Sequence, residues 1–144
     1  MGQLSYLLDT NILSEATKPK PNAQVLAKLK AYNGHYATAV TVWHELNFGC
    51  ELLPESKLKQ RLQSYLAMLL QQNLDILPFT QQAAEWLAIE RARLMKTGYL
   101  FGFADGEIAS IAVANNLILV TRNTKDFERF SGLQLENWFE EIEF

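Results

Sequence analysis

Leu4-Ser5-Tyr6-Leu7-Leu8-Asp9-Thr10-Asn11 is an apolar run that stops abruptly at an acid and two short polar residues. A run of this kind reads as a buried strand. An acid at the carboxyl end of such a strand stands where open α/β sheets place their ligands. Three more acids, Glu45, Asp105 and Asp126, occupy comparable strand-end or helix-start positions further along. Brought together, the four make a pocket of oxygen donors suited to Mg²⁺ or Mn²⁺.

Outward from this run, strand and helix signals alternate. A short helix is expected over about Asn11 to Ala16. The loop Lys18-Pro19-Lys20-Pro21-Asn22 follows, and Asn22 caps a helix starting near Ala23. Asn33-Gly34 is a turn. Tyr36 to Val42, rich in β-branched and small residues, reads as a second strand that runs into a helix from Trp43 to about Leu53. Ser56 caps a further helix, where Leu58, Leu62, Tyr65, Leu66 and Leu69 recur at the spacing of one buried face. Leu74 to Leu77 is a third strand. Thr80 caps a helix with Ala84, Ala88, Ala92 and Met95 along one stripe, ended by Gly98. After the aromatic loop Tyr99 to Ala104, Asp105 opens a helix that Asn116 closes. Leu117 to Val120 is a fourth strand, apolar throughout. Thr124 caps a helical turn carrying Asp126 and Phe127, and Leu133 to Leu135 forms an edge strand.

This alternation predicts an α/β fold with a central, mostly parallel sheet of four to five short strands between helices. In a parallel sheet all strand carboxyl ends share one edge. Asp9, Glu45 and Asp126 follow strands. Asp105 starts a helix that runs antiparallel to the strand it feeds, so it reaches the same edge. Topology alone thus carries the four acids to one rim.

Each residue also has a plainer reading. Asp9 suits a helix N-cap, and Asp105 suits a first helical turn, where it is worth about 0.3–1 kcal/mol against the helix dipole. Glu45 sits among apolar neighbours, and a buried Glu needs a partner. Asp126 lies in a turn, where Asp is common, and its place in the inner or outer ring of a cation site stays open. Thr121 and Asn123 read either as hydrogen-bond partners of the acids or of a metal-bound water, or as a plain turn. Glu107 points to a different side of its helix from Asp105 and is expected in solvent. His44 is expected to be structural and Cys50 to lie in the core. Tyr99, Phe101 and Phe103 precede Asp105 and suit core packing or stacking on bases of a single strand.

Composition sets the outer limits. The 144 residues suit one domain spanning 1–144, and 49% hydrophobic content is enough for a real core. The net charge of −3 is concentrated at the end: Glu136, Glu140, Glu141 and Glu143 fall in the last nine residues, and elsewhere 13 basic residues face 12 acidic ones. A polyanionic substrate is therefore compatible with the chain. Lys18, Lys20, Arg122, Lys125 and Arg129 flank the inferred rim, either as phosphate contacts or as ordinary solvated charge. One cysteine excludes an intrachain disulfide. No basic region precedes the first apolar run, as a signal peptide would have, and Tyr6 stands where a myristoylation motif at Met1-Gly2 wants Ser or Thr. No stretch approaches the roughly 20 apolar residues of a membrane span. The expectation is a cytoplasmic protein with no membrane association.

Clustered carboxylates repel, and a divalent cation removes that cost. Zinc is disfavoured because no Cys/His set has its spacing. The sequence has no G-x-S-x-G elbow, Walker A loop or G-x-G-x-x-G run. Metal-assisted phosphodiester hydrolysis needs only what the acids supply.

Four segments carry a family resemblance: Tyr6 to Glu15, Thr41 to Gly49, Phe103 to Ala109 and Leu119 to Phe127. In order and spacing they resemble the PIN-domain proteins, and more closely the VapC toxins of toxin–antitoxin pairs. The resemblance implies a PIN-like three-layer α/β/α fold and a Mg²⁺- or Mn²⁺-dependent endoribonuclease. It implies Asp9, Glu45, Asp105 and Asp126 as catalytic acids, with Asp9, Asp105 and Glu45 on the metal and Thr121, Asn123 and Asn11 in support. It also implies an RNA substrate, a homodimer, and a cognate antitoxin chain that pushes a basic or aromatic segment into the acidic pocket. Gly106 and Glu107 stand where relatives often carry apolar residues, and His44 before Glu45 is less usual. Two other functions remain: a catalytically silent PIN-like binding module, and a Mg²⁺-dependent phosphohydrolase of small phosphate esters. Against the latter, aspartyl-phosphate enzymes want an acid two residues after the first, and Asn11 stands there.

Overall fold

The computed structural model describes residues 3–140. Met1-Gly2, Glu141 and Glu143 lie outside the described residues. Five short strands form one sheet: β1 (Tyr6–Leu8), β2 (Tyr36–Ala39), β3 (Asp75–Leu77), β4 (Ile118–Val120) and β5 (Leu135–Glu136). Their order is β3-β2-β1-β4-β5, and every neighbouring pair is parallel. The helices α1 (Thr10–Leu13), α2 (Ala23–Ala31), α3 (Val40–Glu51), α4 (Lys57–Gln71), α5 (Gln81–Lys96) and α6 (Phe103–Ala114) flank the sheet. None is long and apolar enough to cross a membrane.

The chain builds from β1 outward through β2 to β3, then returns to the other side of β1 for β4 and β5. The order reverses between β1 and β4, and a crevice opens at the carboxyl ends of strands at such a point. The two strands run in register, with Leu8 opposite Val120. Leu7, Leu8, Leu119 and Val120 are wholly buried, as interior parallel strands require. Trp138, also wholly buried, packs edge-on against Tyr6 and stacks on Tyr32, with ring centroids 5.3 Å and 5.6 Å away. The segment after β5 is thereby tied back to β1.

Helix starts follow the expected side-chain chemistry. Asn22 accepts from the N–H groups of Gln24 and Val25, Ser56 from Lys59, and Thr80 from Ala83. Each cap is worth about 1 kcal/mol.

Several boundaries differ from expectation. The second strand ends at Ala39 rather than Val42, because α3 begins at Val40. β-branching at Val40, Thr41 and Val42 favours extended backbone only weakly, and tertiary packing overrides it. The last strand is Leu135–Glu136, two residues later than expected at its start. The turn after β4 is 3₁₀ (Thr124–Asp126), with Asn123 rather than Thr124 preceding it. In α5 the buried stripe is Ala83, Leu87, Glu90 and Leu94, while Ala88, Ala92 and Met95 face solvent. Alanine carries little orienting signal. The decisive position holds Glu90, whose charge is met by two bonds from Arg93 (2.9 and 3.0 Å) and the Ser131 N–H (2.6 Å). In α4, Leu58 is exposed and Lys59 is buried, paired with Glu55 at 3.2 Å.

Gly106 has a packing role. A Cβ there would stand 2.5 Å from Cε2 of Phe101 and 2.9 Å from Cδ1 of Leu87. The missing side chain lets α6 settle on α5 and on the loop before it. Phe101, held against Phe130 with centroids 4.8 Å apart, is thus packing rather than a free stacking platform. Gly106→Ala is expected to destabilise the fold by about 1–3 kcal/mol through overpacking, despite alanine's higher helix propensity. Denaturant unfolding of the two proteins measures this.

Candidate active site

Asp9 and Thr121 are the first residues beyond β1 and β4, the two strands that flank the crevice. The Asp9 N–H donates to the Val120 carbonyl at 2.9 Å, which carries the pairing one step past the strand. The buried Asp9 carboxylate then has a donor on each oxygen. The Thr10 N–H donates to Oδ1 at 2.7 Å, and the Thr121 hydroxyl donates to Oδ2 at 2.8 Å. Asp9 is therefore both the cap of α1 and a buried acid at the carboxyl end of β1. The Thr121 oxygen accepts from the Asn123 N–H at 3.1 Å. Thr121 is wholly buried, whereas Asn123 is exposed and meets this network through its backbone.

Glu45 arrives from α3. Because that helix begins at Val40 rather than Trp43, Glu45 sits in its second turn instead of its first. It is half-buried, and its Oε2 accepts from the Thr10 hydroxyl at 2.7 Å. Asp105 lies in the first turn of α6, two residues inside the helix, and Gly102 takes the cap position. Asp126, in the 3₁₀ turn after β4, is exposed. Asn11 points elsewhere: its Oδ1 accepts from the Arg122 N–H at 3.0 Å and pins the turn after β4 to α1.

The acids lie within range of one another's charge. Burial pushes the Asp9 carboxyl up from its ordinary value. Hydrogen bonds from Thr121 and Thr10 oppose this, and the charges of Glu45 and Asp126 add to it. Asp105 is pushed up to about 6, first by burial and then by Asp9, Asp126 and Glu45, with no hydrogen bond opposing. Among the described residues, no three His, Cys, Asp or Glu side chains stand close enough together to hold a metal ion as they are placed. Like charges in mutual range favour such an open spacing. The donor set fits a hard divalent cation. It is all oxygen, it carries excess negative charge, and it has no thiolate or imidazole.

Other expected residues fall as follows. Cys50 is buried. His44 is exposed and stacks on Phe48 at 6.0 Å, away from any ligand role. Glu107 is half-buried rather than fully solvated. Lys18 pairs with the buried Glu15 at 2.9 Å. Arg129 lies over Tyr99 at 4.0 Å and Arg122 over Phe139 at 4.5 Å. Thr10 was missed by sequence reasoning. Its only signal was its place between Asp9 and Asn11, and its bond to Glu45 spans 35 positions of sequence.

A parallel α/β sheet with acids at its switch point defines a class of acidic-edged α/β folds. Comparison with known proteins agrees: the PIN domain family profile matches residues 6–133. The chain belongs to the PIN-domain family, and its relatives place it in the VapC branch of that family. It is 37% identical to the Ribonuclease VapC2 of Rickettsia felis, over 92% of this chain and 97% of that one. It is 33% identical to the tRNA(fMet)-specific endonuclease VapC of Shigella flexneri, over 94% and 98%. The crystal structure of FitAcB from Neisseria gonorrhoeae superposes with a TM-score of 0.86 at 30% identity, covering 94% of this chain and 99% of that chain.

The raised Asp105 has a consequence for folding. Its native carboxyl holds a proton more tightly than the unfolded one, so the native state binds more protons between the ordinary value of 3.8 and about 6. Its contribution to stability is thus present at low pH and lost as pH rises through about 6. In EDTA, Asp105→Asn is expected to gain stability relative to the parent chain as pH rises from 4.5 to 7. Parallel unfolding curves test this. A pH-independent difference between the two proteins contradicts it.

Proposed function

We propose that the chain is a divalent-metal-dependent endoribonuclease toxin, cutting RNA phosphodiester bonds at the crevice between β1 and β4, with residues 1–144 acting as a single nuclease domain. The observation that supports this reading is the buried Asp9 at the β1–β4 edge, bonded to Thr121 and to Thr10, whose hydroxyl in turn meets Glu45. Asp9, Glu45 and Asp105 would hold Mg²⁺ or Mn²⁺. When bound, that ion offsets the clustered charge, acidifies water and stabilises negative charge building on a phosphoryl oxygen.

The protein's own groups divide the remaining work. Thr121 and the Thr10 N–H orient Asp9. The Thr10 hydroxyl orients Glu45. Asn11 and the Asn123 backbone fix the turn that delivers Asp126. Asp126, exposed in the turn after β4, would accept a proton from the attacking water. The cytoplasm, where RNA is met, is the proposed place of action.

The same pocket suits a cognate antitoxin segment bearing Arg or Lys, whose charge would replace that of the metal. A homodimer is proposed through α3. That helix exposes Val40, His44, Phe48 and Leu52 at four-residue steps, with Phe48 and Leu52 exposed by 55% and 68%. A line of this kind on one helix is self-complementary across a two-fold axis.

Two experiments test these proposals. Purified chain incubated with tRNA is expected to cut it with Mg²⁺ or Mn²⁺, to stop in EDTA, and to fall to background in Asp9→Asn. Full cleavage in EDTA, or undiminished cleavage by Asp9→Asn, rejects the metal-nuclease reading. Separately, light scattering after size exclusion is expected to show a dimer for the parent chain and a monomer for Phe48→Lys. A Phe48→Lys dimer rejects the α3 interface.

A further inference from the structure

Thr10 makes two bonds from two different atoms. Its backbone N–H donates to Asp9 Oδ1 at 2.7 Å, and its hydroxyl donates to Glu45 Oε2 at 2.7 Å. The two acids come from different elements, one from the end of β1 and one from the second turn of α3. They repel each other, since the Glu45 charge is one of the causes that raise Asp9. Glu45 is half-buried on a helix whose own start has no side-chain cap. Without a donor on the crevice side, repulsion and hydration both favour turning its carboxylate outward.

Resting on the metal-nuclease reading, we propose that Thr10 is a positioning residue: its hydroxyl holds Glu45 at the crevice against the charge of Asp9 and so completes the cation-binding set. The first helical position of α1 fixes the Thr10 backbone, and the short β-branched side chain leaves few rotamers. The hydroxyl is therefore delivered with little conformational freedom left to lose. Bonding one oxygen of Glu45 leaves the other free for a cation. Groups that orient ligands in this way typically change metal affinity or activity by about 10–100-fold when removed.

The test compares the parent chain with Thr10→Val, which keeps the shape and loses the donor, and with Thr10→Ser, which keeps the donor. Mn²⁺ affinity is read by calorimetry without RNA, RNA cleavage is read separately, and unfolding in EDTA checks the fold. Thr10→Val is expected to bind Mn²⁺ about tenfold more weakly or worse and to lose cleavage in step. Thr10→Ser is expected to stay within about threefold of the parent in both. Should Thr10→Val fail to fold, Thr10→Ala carries the same comparison. Equal Mn²⁺ affinity in parent and Thr10→Val overturns the assignment, whatever happens to melting. So does failure of Thr10→Ser to restore affinity, which would show that packing of the methyl matters instead. A parent chain that binds Mn²⁺ yet cuts no RNA overturns the ribonuclease reading and leaves the affinity comparison to decide on Thr10.

Discussion

The pairing of β1 with β4 is the constraint on which the rest of the molecule depends. Both strands are three residues long, parallel and wholly apolar at their inner positions. Neither buries its faces alone, and each contributes a polar residue immediately beyond its end. Register then leaves no choice: Leu8 opposite Val120 sets Asp9 beside Thr121. The hydrophobic gain from four buried aliphatic side chains, each about 1.5–3 kcal/mol, offsets the cost of burying one acid that has a hydrogen-bond donor on each oxygen. The sheet therefore brings an acid into a buried place that the acid would not choose.

Comparison with the other buried acids shows what sets this place apart. Glu15 is held below its ordinary value by Lys18 and the Asn22 N–H, and Glu90 by Arg93 and the Ser131 N–H. Each has a cation of its own. Asp9 has only neutral donors, and Asp105 has none. Both are raised, not lowered. The protein thus neutralises buried acids with its own bases where they serve structure, and leaves the crevice acids without one. A site arranged this way is under-charged by design, and an added positive charge has the most to gain there.

Much of this was legible in the sequence because it follows from topology. Alternating strand and helix signals fix a parallel sheet, and a parallel sheet fixes one edge for Asp9, Asp105 and Asp126. What escaped was set by tertiary contacts. Val40 and Thr41 are β-branched and look extended, but they begin α3 and move Glu45 from the first turn of the helix to its second. Glu90 breaks the apolar pattern of α5, so an alanine stripe looked more like the buried face than it is. Gly106 looked like a polar departure at a helix start, and is a close contact with Phe101 and Leu87. Thr10 could not be singled out because its partner lies 35 positions away, and no local pattern records which acid a short hydroxyl will meet.

The four acids are held to different degrees, and the order is informative. Asp9 is buried with a donor on each oxygen. Glu45 is half-buried with one donor, Asp105 is half-buried with none, and Asp126 is exposed. Constraint falls steadily from Asp9 to Asp126. A small hard cation keeps several waters and demands close geometry from few protein ligands. Such an ion needs one or two fixed anchors and others free to adjust. Four rigidly held carboxylates would impose a geometry on it, at the full cost of their repulsion. On the proposed ligand set, a firmly bonded Asp9 and an Asp105 without a hydrogen bond would meet both demands, because the anchored acid defines where charge must be compensated and the other is free to adjust. On the proposed reading, this hydrogen-bond pattern would suit a site that gains and loses an ion better than one that holds it permanently.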